Sequence, residues 1–132
     1  MDRENLMLAS ILGGFAINGT GTCYPHTLGY ALTTLKNVPH GKACAAFLGE
    51  FVRTMCSVDE KKATLLLAAV KEEKLDTFLT GIESMAGEMP CLTLEEAIRF
   101  TKFIENAPAL SNSIKPISND EALKIYKKLF VR

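Results

Sequence analysis

The apolar residues of this chain recur with helical periodicity from one end to the other, and this feature limits its possible folds most. They are spaced three and four residues apart, and the strict alternation typical of a half-buried strand is not found. Two segments begin with the Ser/Thr-x-x-Glu capping box, at Thr93 and at Ser118. The pattern predicts helices over residues 3–18, 23–35, 40–52, 59–70, 75–85, 93–104 and 118–130. We therefore expect an all-α helical bundle of about seven helices.

The first predicted helix, over residues 3–18, carries apolar side chains on nearly every face. This pattern predicts a central, deeply packed helix. A membrane span needs roughly 20 apolar residues, and a secretory leader begins with basic residues, whereas Asp2 and Glu4 flank this segment. The small and polar residues over 18–22 then predict a loop whose backbone lies close to another part of the chain.

Length, charge and cysteine usage narrow the functional class. The 132 residues suffice for one domain, but not for a nucleotide-binding domain together with a substrate domain. Fifteen basic and fifteen acidic residues balance, which argues against nucleic acid or an anionic membrane as a partner. The four cysteines form no CxxC pair, so we expect reduced thiols and a cytoplasmic protein.

The two histidines, His26 and His40, are the strongest candidates for chemistry. On one straight helix their separation of 14 residues would place them about 21 Å apart. Pro39 divides the segment into two helices, and a bend there can bring both imidazoles to one metal ion. From chemistry alone, the alternative is that His26 packs near the glycine loop and His40 merely begins a helix. Cys23 is expected to be a packed thiol rather than a soft ligand.

The residues around this pair form a longer pattern. It comprises Ala9-Ser10 with Gly14, Gly19-Thr20-Gly21-Thr22, Pro25-His26 with Gly29-Tyr30, and Val38-Pro39-His40-Gly41 with Ala43. In order and in histidine spacing it resembles the signature of the iron-containing (group III) alcohol dehydrogenases, in their C-terminal helical portion. Residues 112–126 are also similar to the closing pattern of that family.

The resemblance implies a dehydroquinate synthase-like C-terminal domain, truncated at its N-terminal side and spanning residues 1–132, in which His26 and His40 are metal ligands. It implies Fe²⁺, or Zn²⁺, as the metal of the complete enzyme, with an Asp and a His from an earlier helix completing the site. The reaction would be hydride transfer between a small alcohol or aldehyde and NAD(P), with the metal as a Lewis acid. We also expect a homo-oligomer. Many members of the family have a second histidine where this chain has Tyr30.

Several features of a complete member are not found in this sequence: a GGGS-type phosphate loop, a βαβ alternation, and an Asp-xxx-His pair. NAD(P) would therefore be bound mainly by an N-terminal domain that this chain lacks. We expect the isolated chain to be inactive. The alternative is a non-catalytic helical module, derived from the same family, with a binding or structural role.

Overall fold

The computed structural model describes residues 2–132, and within this range the chain is helical without a β-strand. Its helices are α1 (Arg3–Thr20), α2 (Tyr24–Lys36), α3 (His40–Val58), α4 (Glu60–Val70), α5 (Leu75–Ala86), α6 (Leu94–Phe103) and α7 (Asn119–Phe130), with a short 3₁₀ turn at Pro108–Leu110. A single isolated bridge pairs Leu92 with Val131. The predicted all-α class with seven helices is confirmed.

Local capping signals set most helix starts. The Thr93 hydroxyl accepts from the Glu96 backbone, and the Glu96 carboxylate accepts from the Thr93 backbone, which confirms the first capping box. The second box, at Ser118, is also present. At the start of α4 the Asp59 carboxylate accepts from the backbone of Lys62, as expected for an N-cap aspartate.

A sharp turn joins α2 to α3. Asn37 ends α2 in the left-handed conformation (φ 55°), which asparagine tolerates better than most residues. Pro39 then precedes the first residue of α3 and adopts an extended conformation. The predicted division of the segment at Pro39 is confirmed, and α2 packs against α3.

The main core lies where α2, α3, α6 and α7 meet. Tyr126 of α7 is fully buried, and its ring makes edge-to-face contacts with Phe47 of α3 and Phe100 of α6. Its hydroxyl donates a 2.7 Å hydrogen bond to the backbone carbonyl of Leu28 in α2. α7 is thereby fixed directly to the helix that carries His26. A smaller apolar cluster, built on Val52, Leu79 and Ile82, joins α3 to α5.

α1 departs from prediction. None of its residues is buried, and Phe15 remains 72% exposed. The prediction of a deeply packed helix was wrong because an apolar helix is buried only where a second apolar surface covers it, and the other described helices leave its faces open.

The end of α1 is nevertheless tied to the rest of the fold. The helix extends to Thr20, two residues beyond the predicted end at Asn18, and the chain turns at Gly21 (φ 71°). The Asn112 side-chain amide donates 2.8 Å hydrogen bonds to the carbonyls of Thr20 and Thr22. A Cβ on Gly21 would lie 2.9 Å from that amide, so the predicted close approach of backbone at this turn is confirmed.

Within residues 2–132 no single helix is both long and apolar enough to cross a membrane. α1 and α2 meet that criterion only as a pair, and they are bent by 111° relative to each other.

Candidate metal centre

The candidate site is built on the first turns of α2 and α3. Pro25 lies in the first turn of α2, where no backbone donor is needed, and it places His26 at the start of that helix. His26 is half-buried, and its Nδ1 is fully buried with no hydrogen-bond partner among the described residues. Because buried polar nitrogens are nearly always paired, a buried nitrogen without a partner indicates a place for an unseen ligand.

The second histidine is the first residue of α3. The rings of His26 and His40 lie 5.1 Å apart between centroids, at an interplanar angle of 66°. Cys44 follows one helical turn after His40 and therefore lies on the same face of α3. Its Sγ is 3.5 Å from His40 Nε2 and 3.8 Å from His40 Nδ1. His26, His40 and Cys44 each offer one ligand atom, and these three atoms lie within 4.8 Å of one another.

Close packing of the two helices makes this convergence possible. Gly29 faces α3 at a point where a Cβ would lie 3.2 Å from the Ala43 carbonyl carbon and 3.3 Å from Cys44 Sγ. A larger residue would press the helix backbones apart, because 3.2 Å is tighter than ordinary carbon contact. Gly29 therefore lets α2 approach α3 closely enough for their side chains to share one point.

Tyr30 covers the open side of the pair. Its ring is stacked on His40, with centroids 5.1 Å apart and an interplanar angle of 9°. The same ring lies 6.2 Å from His26, in an edge-to-face arrangement. Tyr30 is about half exposed, so it lies between the histidines and solvent and limits how the His40 ring can rotate.

Burial shifts the pKa values of His26 and Cys44 in opposite directions. Burial, together with the neighbouring His40, lowers the pKa of His26, so near neutrality its imidazole is uncharged and has a free lone pair. Burial is also the main cause that raises the pKa of the Cys44 thiol. Two imidazoles and a thiol around one point form a donor set suited to a divalent transition metal.

Comparison with known proteins identifies the relatives of this chain. Residues 1–99 match the model of the Fe-containing alcohol dehydrogenase family, C-terminal part, which is three quarters of the sequence. The chain belongs to the iron-containing alcohol dehydrogenase family. Neither a search of curated proteins nor a search of solved structures found a match. The likeness of residues 112–126 to the closing pattern of the family lies outside the matched range and stays a prediction.

In the iron-containing alcohol dehydrogenase family, the histidine pair lies within the matched range, residues 1–99. The structure brings His26 and His40 together, as the break at Pro39 predicts, while their role as metal ligands stays a prediction. Sequence reasoning missed Cys44, although its spacing of four residues from His40 was a usable signal. Cys23 is half-buried and outside the group of converging ligand atoms.

A cavity lies elsewhere on the molecule. It measures about 480 Å³ and lies between the end of α5 and the end of α7, with Met89, Pro90 and Phe130 in its wall. Neither histidine lines it. The histidine pair is therefore separate from this cavity.

Proposed function

We propose that this chain is the helical, metal-binding domain, over residues 1–132, of an NAD(P)-linked alcohol dehydrogenase or aldehyde reductase, with His26 and His40 as metal ligands. The observation that carries the proposal is the convergence of the two imidazoles at one point. Membership in the iron-containing alcohol dehydrogenase family supports the reaction class. The metal is Fe²⁺, with Zn²⁺ as the alternative that imidazole ligands equally suit.

The residues of this chain fit such a metal. His26 has a buried ring nitrogen without a partner, and its lowered pKa leaves it neutral, which is the form that binds metal. When bound, the metal supplies Lewis-acid polarisation of the substrate oxygen. The part played by His26 and His40 is to hold the ion at fixed geometry, and Tyr30 shields the His40 ring from solvent on one side.

The cofactor requires a further domain. Residues 2–132 contain no parallel strand pair and no βαβ unit, the structure on which dinucleotides are usually bound. We therefore propose that NAD(P) binds mainly to another domain, that small alcohols or aldehydes are the substrates, and that the working enzyme is a cytoplasmic homo-oligomer. This chain by itself is then inactive.

A second candidate is a non-catalytic helical module of the same family. The observation that favours it is that the described residues carry only part of a metal shell and no dinucleotide fold. In this case the chain functions through binding, and its histidines have no role in turnover.

The deciding experiment begins with the size of the native polypeptide, measured by intact mass after affinity capture with an antibody against this chain. The captured polypeptide is then assayed for NAD(P)-dependent oxidation of short alcohols, with and without a chelator. We expect a polypeptide longer than 132 residues, with activity that the chelator abolishes. In that polypeptide, His26→Ala and His40→Ala should remove metal and activity together, whereas Cys91→Ala, an exposed control, should remove neither.

Two results would contradict the proposal. One is a native polypeptide of 132 residues without turnover, which would favour the helical module. The other is full activity and metal content in both histidine variants.

A further inference from the structure

We infer that Cys44 is a third metal ligand, so that this chain alone forms a site of two nitrogens and one sulfur. The inference rests on the proposed role of His26 and His40 and extends it by one residue, and it also changes the metal that the site prefers. Its basis is a measured juxtaposition: the three side chains place one donor atom each within 4.8 Å of one another.

The sulfur lies close enough to the His40 ring for one ion to join the two side chains. With a metal–sulfur bond of about 2.3 Å and a metal–nitrogen bond of about 2.0–2.1 Å, tetrahedral geometry places the two donor atoms about 3.5 Å apart. Cys44 Sγ lies 3.5 Å from His40 Nε2. Sγ also lies 3.8 Å from His40 Nδ1, so it is beside the ring rather than on the side to which the Nε2 lone pair points. Binding one ion therefore requires the Cys44 side chain or the His40 ring to reorient, and the three donor atoms are already within 4.8 Å of one another.

Packing between α2 and α3 determines the position of the Cys44 side chain. Its side chain is half-buried in the contact between α3 and α2, and Sγ occupies the space that the missing side chain of Gly29 leaves open. The i,i+4 spacing on α3 directs Cys44 to the same side as His40. Both features hold the sulfur toward α2, where His26 supplies the third donor.

A thiolate in the site changes its metal preference. Soft sulfur ligands favour Zn²⁺, whereas sites of oxygen and imidazole also suit Fe²⁺. Three protein ligands with an open fourth position form the usual arrangement of a catalytic zinc site. As the metal–sulfur bond forms, the S–H bond of Cys44 breaks and its proton passes to solvent, so binding releases a proton. The chain should thus bind Zn²⁺ in preference to Fe²⁺ without ligands from elsewhere.

The test uses the purified, metal-free 132-residue chain, titrated anaerobically with Co²⁺ as a spectroscopic substitute for zinc. We expect one equivalent to bind with a thiolate-to-cobalt charge-transfer band, and Zn²⁺ to displace it, whereas Fe²⁺ should not. Cys44→Ala should abolish the band and weaken Co²⁺ binding at least about tenfold, since loss of outer-shell partners alone costs about 10–100-fold. Cys56→Ala is the matched control, because Cys56 is also a half-buried thiol of α3, and it should leave band and affinity unchanged.

The outcomes separate this inference from the proposed function. Co²⁺ binding without a charge-transfer band, equally tight in Cys44→Ala, would overturn the role of Cys44 and leave the histidine pair intact. Absence of binding in the wild-type chain would also overturn the three-ligand site, whereas the histidine pair would still be judged by metal and activity in the native polypeptide. A band and affinity that survive His26→Ala and His40→Ala would contradict the proposed function itself. Circular dichroism of each variant verifies that the helices are retained.

Discussion

At the scale of single residues, the candidate site consists of two i,i+4 pairs on facing helices. His26 and Tyr30 lie one turn apart on α2, and His40 and Cys44 lie one turn apart on α3. The Tyr30 ring, parallel to His40 at 5.1 Å, fixes the ring plane of that histidine. The useful property of Tyr30 in this arrangement is therefore its flat aromatic face, whereas its hydroxyl is not needed to hold the ring.

The role of the Tyr30 face can be tested with two substitutions. Tyr30→Phe retains the ring and should leave Co²⁺ affinity within about twofold of wild type. Tyr30→Ala removes the stack, which is worth about 0.5–1.5 kcal/mol, and should weaken binding by roughly two- to tenfold. Isothermal titration of both variants measures the difference. Equal affinity in Tyr30→Ala would show that His40 is oriented without help from the ring.

At the scale of elements, the position of α2 depends on its neighbours on two sides. α3 approaches it closely at Gly29, and α7 is joined to it by the buried hydrogen bond from Tyr126 to the Leu28 carbonyl. Burial raises the pKa of Tyr126 above its usual range, so the hydroxyl is protonated near neutrality and can donate this hydrogen bond. α2 is thus fixed at the middle of its length, one turn from the metal-site residues.

Tyr126→Phe should therefore destabilise the fold. The substitution keeps the aromatic packing against Phe47 and Phe100 and removes only one hydrogen bond, so we expect a loss of about 0.5–1.5 kcal/mol in the free energy of unfolding. Urea denaturation followed by circular dichroism measures it. Tyr30→Phe is the control, because the Tyr30 side chain is about half exposed and removal of its hydroxyl should cost less. A larger loss in the control would contradict the assigned role of Tyr126.

At the scale of the whole molecule, α1 is the unusual part. Its large apolar side chains are all at least 44% exposed: Leu6, Met7, Leu8, Ile11, Leu12, Phe15 and Ile17. A contiguous apolar surface of this kind is costly in water, and proteins usually cover such surfaces in an interface. The helix is held to the rest of the fold through the Asn112 hydrogen bonds at its end, so its apolar faces remain open along its length.

We expect these faces to drive self-association of the purified chain. Light scattering at micromolar concentration should give a mass above that of the 14.4 kDa monomer. Phe15→Lys places a charge within the apolar surface and should shift the distribution toward monomer. Met85→Lys changes a side chain on α5 that is equally exposed, at 72%, and should have little effect. A clean monomer in the wild-type chain would contradict the expectation.

Sequence alone determined the features that depend on a few neighbouring residues. Periodicity and capping boxes gave the number of helices and most of their starts, because the hydrogen bonds of a cap join residues only three positions apart. Pro39 likewise placed His40 at the first turn of a new helix and made convergence with His26 possible. These interactions are complete within one or two helical turns, so the residues that make them can be read directly from the chain.

Tertiary structure decided the features that depend on distances between helices. The close approach at Gly29 brought Cys44 to the histidine pair, since whether a thiol one turn from His40 reaches the same point depends on how near α2 lies. The exposure of α1 was decided in the same way. The apolar pattern of α1 indicates that its burial would be favourable, but burial requires a second apolar surface. Only the arrangement of the other helices determines whether such a surface is present.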